Sequence, residues 1–216
     1  MRVEVWSDVV CPWCYIGKRR LESALAQFEH AGTVQVVWRS FQLHPDHPPG
    51  SRRPVNEYLA ERFGIPLDQA RAMNAQVTAI AAGEGLAYDT DRAWLVGTFD
   101  AHRLLHLGSA LGVGTALTER LMRGQHVEGE QLDDLETLVR LAADAQVPAD
   151  AARRTLASEE YADDVRADLR RAAAIGVSGV PFVLFDERLG VSGAQPVAAY
   201  LCALRRAHQD ASTHFG

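Results

Sequence analysis

Two cysteines with two residues between them, Cys11 and Cys14, are the side chains in this sequence whose type and spacing most directly suggest chemistry. They lie in the run Ser7-Asp8-Val9-Val10-Cys11-Pro12-Trp13-Cys14-Tyr15, after an alternating β-rich opening, Val3-Glu4-Val5-Trp6, and before a helical pattern that is under way by Gly17-Lys18-Arg19-Arg20-Leu21. The pair therefore sits where a strand gives way to a helix. Free N–H groups and the macrodipole at a helix N-terminus favour negative charge, and the thiolate is the nucleophilic form of cysteine. Cys11 is accordingly the expected attacking thiol. Pro12 suits a first helical position, where no N–H donor is needed and a fixed φ restrains the turn. Two intervening residues at a helix start bring Cys14 nearly under Cys11, within reach of a disulfide, so Cys14 is the expected resolving thiol. Trp13, between them, would shape the surroundings of the nucleophile.

A Cys-x-x-Cys pair is also half of a zinc site and then needs two further ligands. His102 and His106, four apart on a predicted helix, put two imidazoles on one face and nominally complete a Cys₂His₂ set. The intervening chain is far longer than the ~12–15 residues of a zinc finger, and the strand–CPWC–helix setting favours redox chemistry, so no metal is expected. A non-catalytic zinc or partner-binding module is the non-enzyme alternative. His44 and His47 flank a proline-rich turn and read as solvated. Cys202 falls in the helical text Pro196-Val197-Ala198-Ala199-Tyr200-Leu201-Cys202-Ala203-Leu204 and is expected on its buried stripe as a small hydrophobe.

The elements that must position the cysteines follow from periodicity. A first helix ending near His30-Ala31-Gly32 leads into a second strand, Val34 to Leu43, and a strand, crossover helix and strand imply parallel pairing. A proline-dense exit, His44 to Gly50, marks a boundary. From there to Gly176 the apolar residues recur at three- and four-residue spacing in segments such as Asn56–Phe63, Leu67–Met73, Ala101–Leu107, Leu117–Met122, Leu132–Val139 and Val165–Arg170, all helix candidates. The β signal returns in Val180–Asp186 and Leu189–Gly193, a predicted hairpin, and a last helix starts at Pro196. The expected fold class is therefore α/β: a central mixed sheet flanked by helices, built from 1–50 and 177–216, with an all-helical domain, 51–176, inserted between its halves.

Composition narrows the partners. With 22 Lys plus Arg against 28 Asp plus Glu the formal net charge is −6, which argues against nucleic acid or an anionic membrane. Apolar residues make up 47% of the 216, as in globular proteins, yet no apolar stretch approaches the ~18 residues that span a bilayer. The chain opens directly on a strand with no basic segment and apolar run before it, so a cytoplasmic location is expected. In that reducing compartment a close cysteine pair is more often catalytic than structural. Oligomeric state has no signature in the sequence.

Taken together, Ser7-Asp8-x-x-Cys11-Pro12-Trp13-Cys14, a helical insertion, Gly179-Val180-Pro181-Phe182 and Val191-Ser192-Gly193-Ala194-Gln195-Pro196 resemble the DsbA family of thiol–disulfide oxidoreductases with a thioredoxin fold, and within it the FrnE-like branch. The resemblance spans essentially the whole chain. It implies a cis proline, Pro181, lying against the active-site cysteines, although only about 5–6% of X-Pro bonds are cis. It further implies that the Val180 backbone offers edge pairing to an extended peptide or to glutathione. Pro12, Trp13, Val180, Pro181 and His102, on the helix that covers the active site in such proteins, are then the expected substrate-binding residues. The implied substrates are disulfide- or thiol-containing proteins or small molecules. No cofactor beyond the redox-active disulfide is expected, with glutathione as a candidate substrate. Kappa-class glutathione transferases and 2-hydroxychromene-2-carboxylate isomerases resemble the same architecture and form the enzyme alternative. They carry serine where this chain has Cys11, and the acidic residue that kappa enzymes place after the hairpin glycine is replaced here by Ala194-Gln195.

Overall fold

The computed structural model describes residues 1–48 and 50–213; Pro49 of the proline-rich exit and the last three positions of the expected C-terminal segment lie outside the described residues. The chain divides into two compact units, one made of Met1–Leu43 and the chain from Asp168 onward, the other of His44–Ala167. These limits differ from the expected 50/51 and 176/177, for reasons visible in the contacts. His44 makes an edge-on contact with the ring of Tyr58, at 5.2 Å between centroids, and so goes with the helical unit rather than with the strand before it. At the other end, Asp168 and Arg171 bind the sheet of the first unit, as described below.

In the first unit, β1 (Arg2–Ser7) pairs in parallel with β2 (Gln35–Ser40), as the strand–helix–strand order predicts, through α1 (Pro12–Ala26). β5 (Phe182–Phe185) runs antiparallel to β1 on its other side, and β6 (Leu189–Ser192) closes the predicted hairpin against β5, giving the order β2-β1-β5-β6. Strand alternation sends Val3 and Val5 to one face, where they join Leu21, Ala24 and Phe28 of α1, Val183 and Phe185, and Tyr200, Ala203, Leu204 and Ala207 of α9 (Val197–Thr213) in one apolar core. Those four α9 residues have the spacing i, i+3, i+4, i+7. Cys202 falls off that stripe and is exposed, which corrects the buried position expected for it.

Glu4 and Trp6 point to the opposite face, which is also covered. Trp6 packs with Ala172, Val177 and Leu184, and its indole N–H donates to the Asp168 carbonyl at 3.3 Å. Glu4 is buried as well, held by three guanidinium groups, that of Arg2 lying 3.4 Å from Oε1. Arg39 donates to its Oε1 at 2.6 and 2.9 Å, and Arg171 donates to its Oε2 at 2.7 Å. Asp168 receives Arg39 on one carboxylate oxygen and the Ser40 N–H on the other, each at 2.9 Å. A buried carboxylate persists only when its charge is answered in this way. The network fastens the C-terminal half of α8 (Ala162–Ala174) to β1 and β2.

The second unit is helical but not all-helical. A two-residue antiparallel ladder joins β3 (Arg53–Pro54) to β4 (Trp94–Leu95), too short to register in periodicity. Its helices are α2 (Val55–Phe63), α3 (Leu67–Gly83), α4 (Phe99–Ala110), α5 (Gly114–Arg123), α6 (Leu135–Asp144), α7 (Ala149–Leu156) and the start of α8. α7 had no counterpart in the expected helices, because Val147-Pro148 reads as a stop. Here Pro148 instead precedes the first helical residue, a position that needs no N–H. Buried Arg103 serves the end of α7, donating to the Thr155 and Ser158 carbonyls and, at 2.9 Å, to Glu160 O. No helix among the described residues is long and apolar enough to cross a membrane.

Candidate active site

The strand-to-helix junction is built by backbone hydrogen bonds. The Cys11 N–H donates to the Asp8 carbonyl at 3.1 Å, turning the chain after β1, and the Asp8 side chain holds the far side of the turn by accepting from Leu43 N–H at 2.8 Å. Cys11 then occupies the N-cap position of α1 with extended φ and ψ of −85° and 113°, Pro12 follows it into the helix, and no acidic residue lies in the first turn. The free N–H end of α1 is thus left to the Cys11 sulfur, with no carboxylate from that turn competing for it. The Cys14 N–H closes the first turn on the Cys11 carbonyl at 3.1 Å, which stacks one cysteine below the other.

Both cysteines are thiols, Cys14 is more deeply buried (1% against 4% for Cys11), and their side chains interact directly. Burial pushes the Cys14 thiol well up from its ordinary range, and the adjoining Cys11 pushes in the same direction. The neighbouring Asp8 backbone acts in the opposite direction. The Cys11 Sγ–H points to the Val180 carbonyl at 3.7 Å. The Val180–Pro181 peptide bond is cis, and the Pro181 carbonyl accepts from the Gly193 N–H at 2.8 Å, joining this corner to the loop after β6.

Behind the cysteines, two residues absent from the sequence-level list close the site. A Cβ built on Gly17 would lie 2.9 Å from Pro181 Cγ and 3.5 Å from the Tyr200 hydroxyl, so only glycine lets the proline ring seat on α1. Tyr200 donates its phenol proton to the Gly193 carbonyl at 2.9 Å. Its own ionisation is pushed up to about 12 by burial, with the nearby Cys14 adding to the shift. Glycine inside a helical pattern usually costs about 1 kcal/mol relative to alanine, and that misfit with propensity is the signal that could have singled out Gly17. The same figures set a prediction. Gly17→Ala gains that ~1 kcal/mol of helix propensity but overpacks Pro181 at a cost of about 1–3 kcal/mol. A net loss of about 1 kcal/mol in denaturant unfolding is therefore expected, and a more stable variant would show that the ring is not seated there.

Of the residues expected at the site, Cys11, Pro12, Trp13, Cys14, Val180 and Pro181 all lie in the first unit around one corner, with Trp13 38% exposed. His102 does not belong to this unit. It lies on α4 of the helical unit and is buried. His44 and His47 are each partly exposed. His47 bonds the Ser51 carbonyl at 2.8 Å, and His44 packs on Tyr58. His106 stacks on Tyr161 with centroids 6.4 Å apart. Among the described residues no group of three or more His, Cys, Asp or Glu is placed to hold a metal ion.

Residues 2–205 match the family model of the DSBA-like thioredoxin domain. The chain belongs to that family, and with it to the DsbA-like oxidoreductases. A solved structure described as a probable DsbA oxidoreductase from Streptomyces coelicolor is 45% identical, with a TM-score of 0.94 over 97% of this chain and 90% of that one. The fold is shared at lower identity with the cytosolic disulfide reductase DsbM from Pseudomonas aeruginosa, solved with GSH (17% identical, TM-score 0.61, covering 100% and 99% of the two chains). It is also shared with a 2-hydroxychromene-2-carboxylate isomerase (15% identical, TM-score 0.66, 99% and 98%).

Proposed function

We propose that this protein exchanges thiols and disulfides through Cys11 and Cys14. Cys11 attacks one sulfur of a substrate disulfide, forming a mixed disulfide and releasing the first substrate thiolate; Cys14 then attacks Cys11, closing the intramolecular disulfide and releasing the second. The chain carries both electrons in its own sulfurs, so no cofactor is needed, and a thiol such as glutathione would return the pair to the dithiol. The observation that carries this reading is the stacking of two interacting thiols at the N-terminal end of α1, with the Val180 carbonyl facing the outer one. Pro12, exposed Trp13, Val180 and Pro181 supply the substrate surface, the Val180 backbone by strand-like pairing with an extended peptide. Reduction or shuffling in the cytoplasm is the direction that goes with this reading, as the name of the Pseudomonas reductase says of that protein.

The glutathione-dependent isomerase reading has the shared fold behind it, but such enzymes need no second thiol, and this chain places Cys14 against Cys11. A Cys14→Ser variant tests the proposal. With the resolving thiol gone, mixed disulfides on Cys11 should accumulate to near stoichiometry with a disulfide-bonded substrate such as insulin, detected as a covalent adduct that a reductant releases. If no adduct forms while the parent protein still reduces insulin, the two-thiol route is wrong.

A further inference from the structure

The loop that leaves β6 is tied to the site on one side and to the core on the other. The Gly193 N–H donates to the Pro181 carbonyl at 2.8 Å, which extends the β5–β6 pairing one residue beyond Phe182 and Ser192. The Gly193 carbonyl, on a backbone with a φ of 79°, accepts from the Tyr200 hydroxyl at 2.9 Å and from the Gln195 N–H at 2.9 Å. Next to it the Ala194 carbonyl accepts from Arg20 of α1 at 2.6 Å. The Tyr200 ring is fully buried in the apolar core that α9 shares with β1 and α1, so its hydroxyl is a fixed point for the loop. We propose that Tyr200 and Arg20 are positioning residues. By fixing the Gly193–Ala194 turn they fix the Pro181 carbonyl, and with it the Val180 backbone that faces Cys11 and pairs with an extended peptide substrate.

The inference rests on the thiol–disulfide reading above and adds two residues to it. Strand-like pairing needs the Val180 N–H and carbonyl aimed at the peptide, because hydrogen bonds weaken steeply once their angles are lost. On the α1 side the Pro181 ring is already stopped by the backbone of Gly17, where a Cβ would lie 2.9 Å from Pro181 Cγ. On the other side, the Gly193–Ala194 turn is what holds the Pro181 carbonyl, and Tyr200 and Arg20 hold that turn. Exchange between sulfur atoms asks nothing of this clamp. Its loss should therefore weaken the binding of a substrate that has a backbone and leave the reactivity of Cys11 as it was, which raises the half-saturating concentration without lowering the limiting rate. The Gln195 N–H still serves the Gly193 carbonyl when the tyrosine hydroxyl is removed, so Tyr200→Phe should fold.

The test compares two disulfides that share a leaving group. One is an uncharged octapeptide whose central cysteine carries thionitrobenzoate; the other is 2-mercaptoethanol carrying the same group, with no backbone. In each, the Cys11 thiolate bonds to the carrier sulfur, the disulfide bond breaks, and thionitrobenzoate, the weaker base, leaves with the electron pair. Release is followed in a stopped-flow cell with reduced protein in excess, in a Cys202→Ser background because Cys202 is exposed. Tyr200→Phe is expected to raise the half-saturating concentration for the peptide about five- to tenfold, as loss of one hydrogen bond would do, with the limiting rate and the rate on the 2-mercaptoethanol disulfide within about twofold of the parent. Arg20→Leu should show the same selective loss, and it carries the test where the phenylalanine variant does not fold. A peptide N-methylated on the residues beside its cysteine, which cannot pair with Val180, should lose a similar factor in the parent protein and lose no more in Tyr200→Phe. Equal slowing with both disulfides, or an unchanged peptide in both variants, overturns the assignment of Tyr200 and Arg20. No release from either disulfide in the parent protein would instead strike the thiol–disulfide reading itself, and this proposal with it.

Discussion

Cys11→Ser is expected to reduce thiol-dependent turnover of insulin by at least about a thousandfold, to the rate of the added reductant alone. A serine hydroxyl can occupy the N-cap of α1, and indeed suits it better than cysteine does, so the helix should form as before. What it cannot do is bond covalently to sulfur and be displaced again. The prediction therefore separates chemistry from folding: far-ultraviolet circular dichroism should be unchanged or slightly more stable to heat, while turnover vanishes. Retained turnover would mean that electrons pass through another sulfur, and exposed Cys202 would be the one to examine.

The second large effect concerns a residue with no part in the chemistry. Glu4→Ala removes the buried carboxylate that Arg2, Arg39 and Arg171 share, leaving Arg39 with Asp168 and Arg171 with Glu187 as acidic partners. Breaking a buried ion pair by deleting one partner costs about 3–5 kcal/mol. Arg39 and Arg171 keep 19% and 37% of their side-chain surface exposed and so recover some hydration, which places the expected loss near the lower end, about 3 kcal/mol. For a chain of this size that corresponds to a fall in Tm of roughly 6–12 °C, measurable by calorimetry. A fall under about 2 °C would show that the network contributes geometry and little stability.

The same residue shows how far the sequence could be read. Val3-Glu4-Val5-Trp6 announces a strand by alternation, and alternation assigns Glu4 to a solvated face. What holds it there is Arg39 and Arg171, the latter 167 positions away, and nothing in the local text of either segment marks the other. The cysteine pair was legible for the opposite reason. Its geometry is local, fixed by one strand end, one turn and one helix start, all within eight residues of Ser7. The hairpin Phe182–Ser192 was legible on the same grounds. Gly17 and Tyr200 matter through what other segments bring to them. The contacts of His44 with Tyr58 and of Asp168 with Ser40, at the limits of the two units, are ones that composition does not record.

The central claim is that Cys11 and Cys14 exchange electrons with a substrate by closing a bond between themselves. It is tested most directly by treating the reduced protein with one equivalent of glutathione disulfide and identifying the product by intact-mass and peptide mass spectrometry. The account predicts a chain lighter by two hydrogens, with the Cys11 and Cys14 sulfurs joined, Cys202 still a free thiol, and two equivalents of glutathione released. A persistent glutathione adduct on Cys11 with Cys14 unreacted, or a product linked through Cys202, would contradict it.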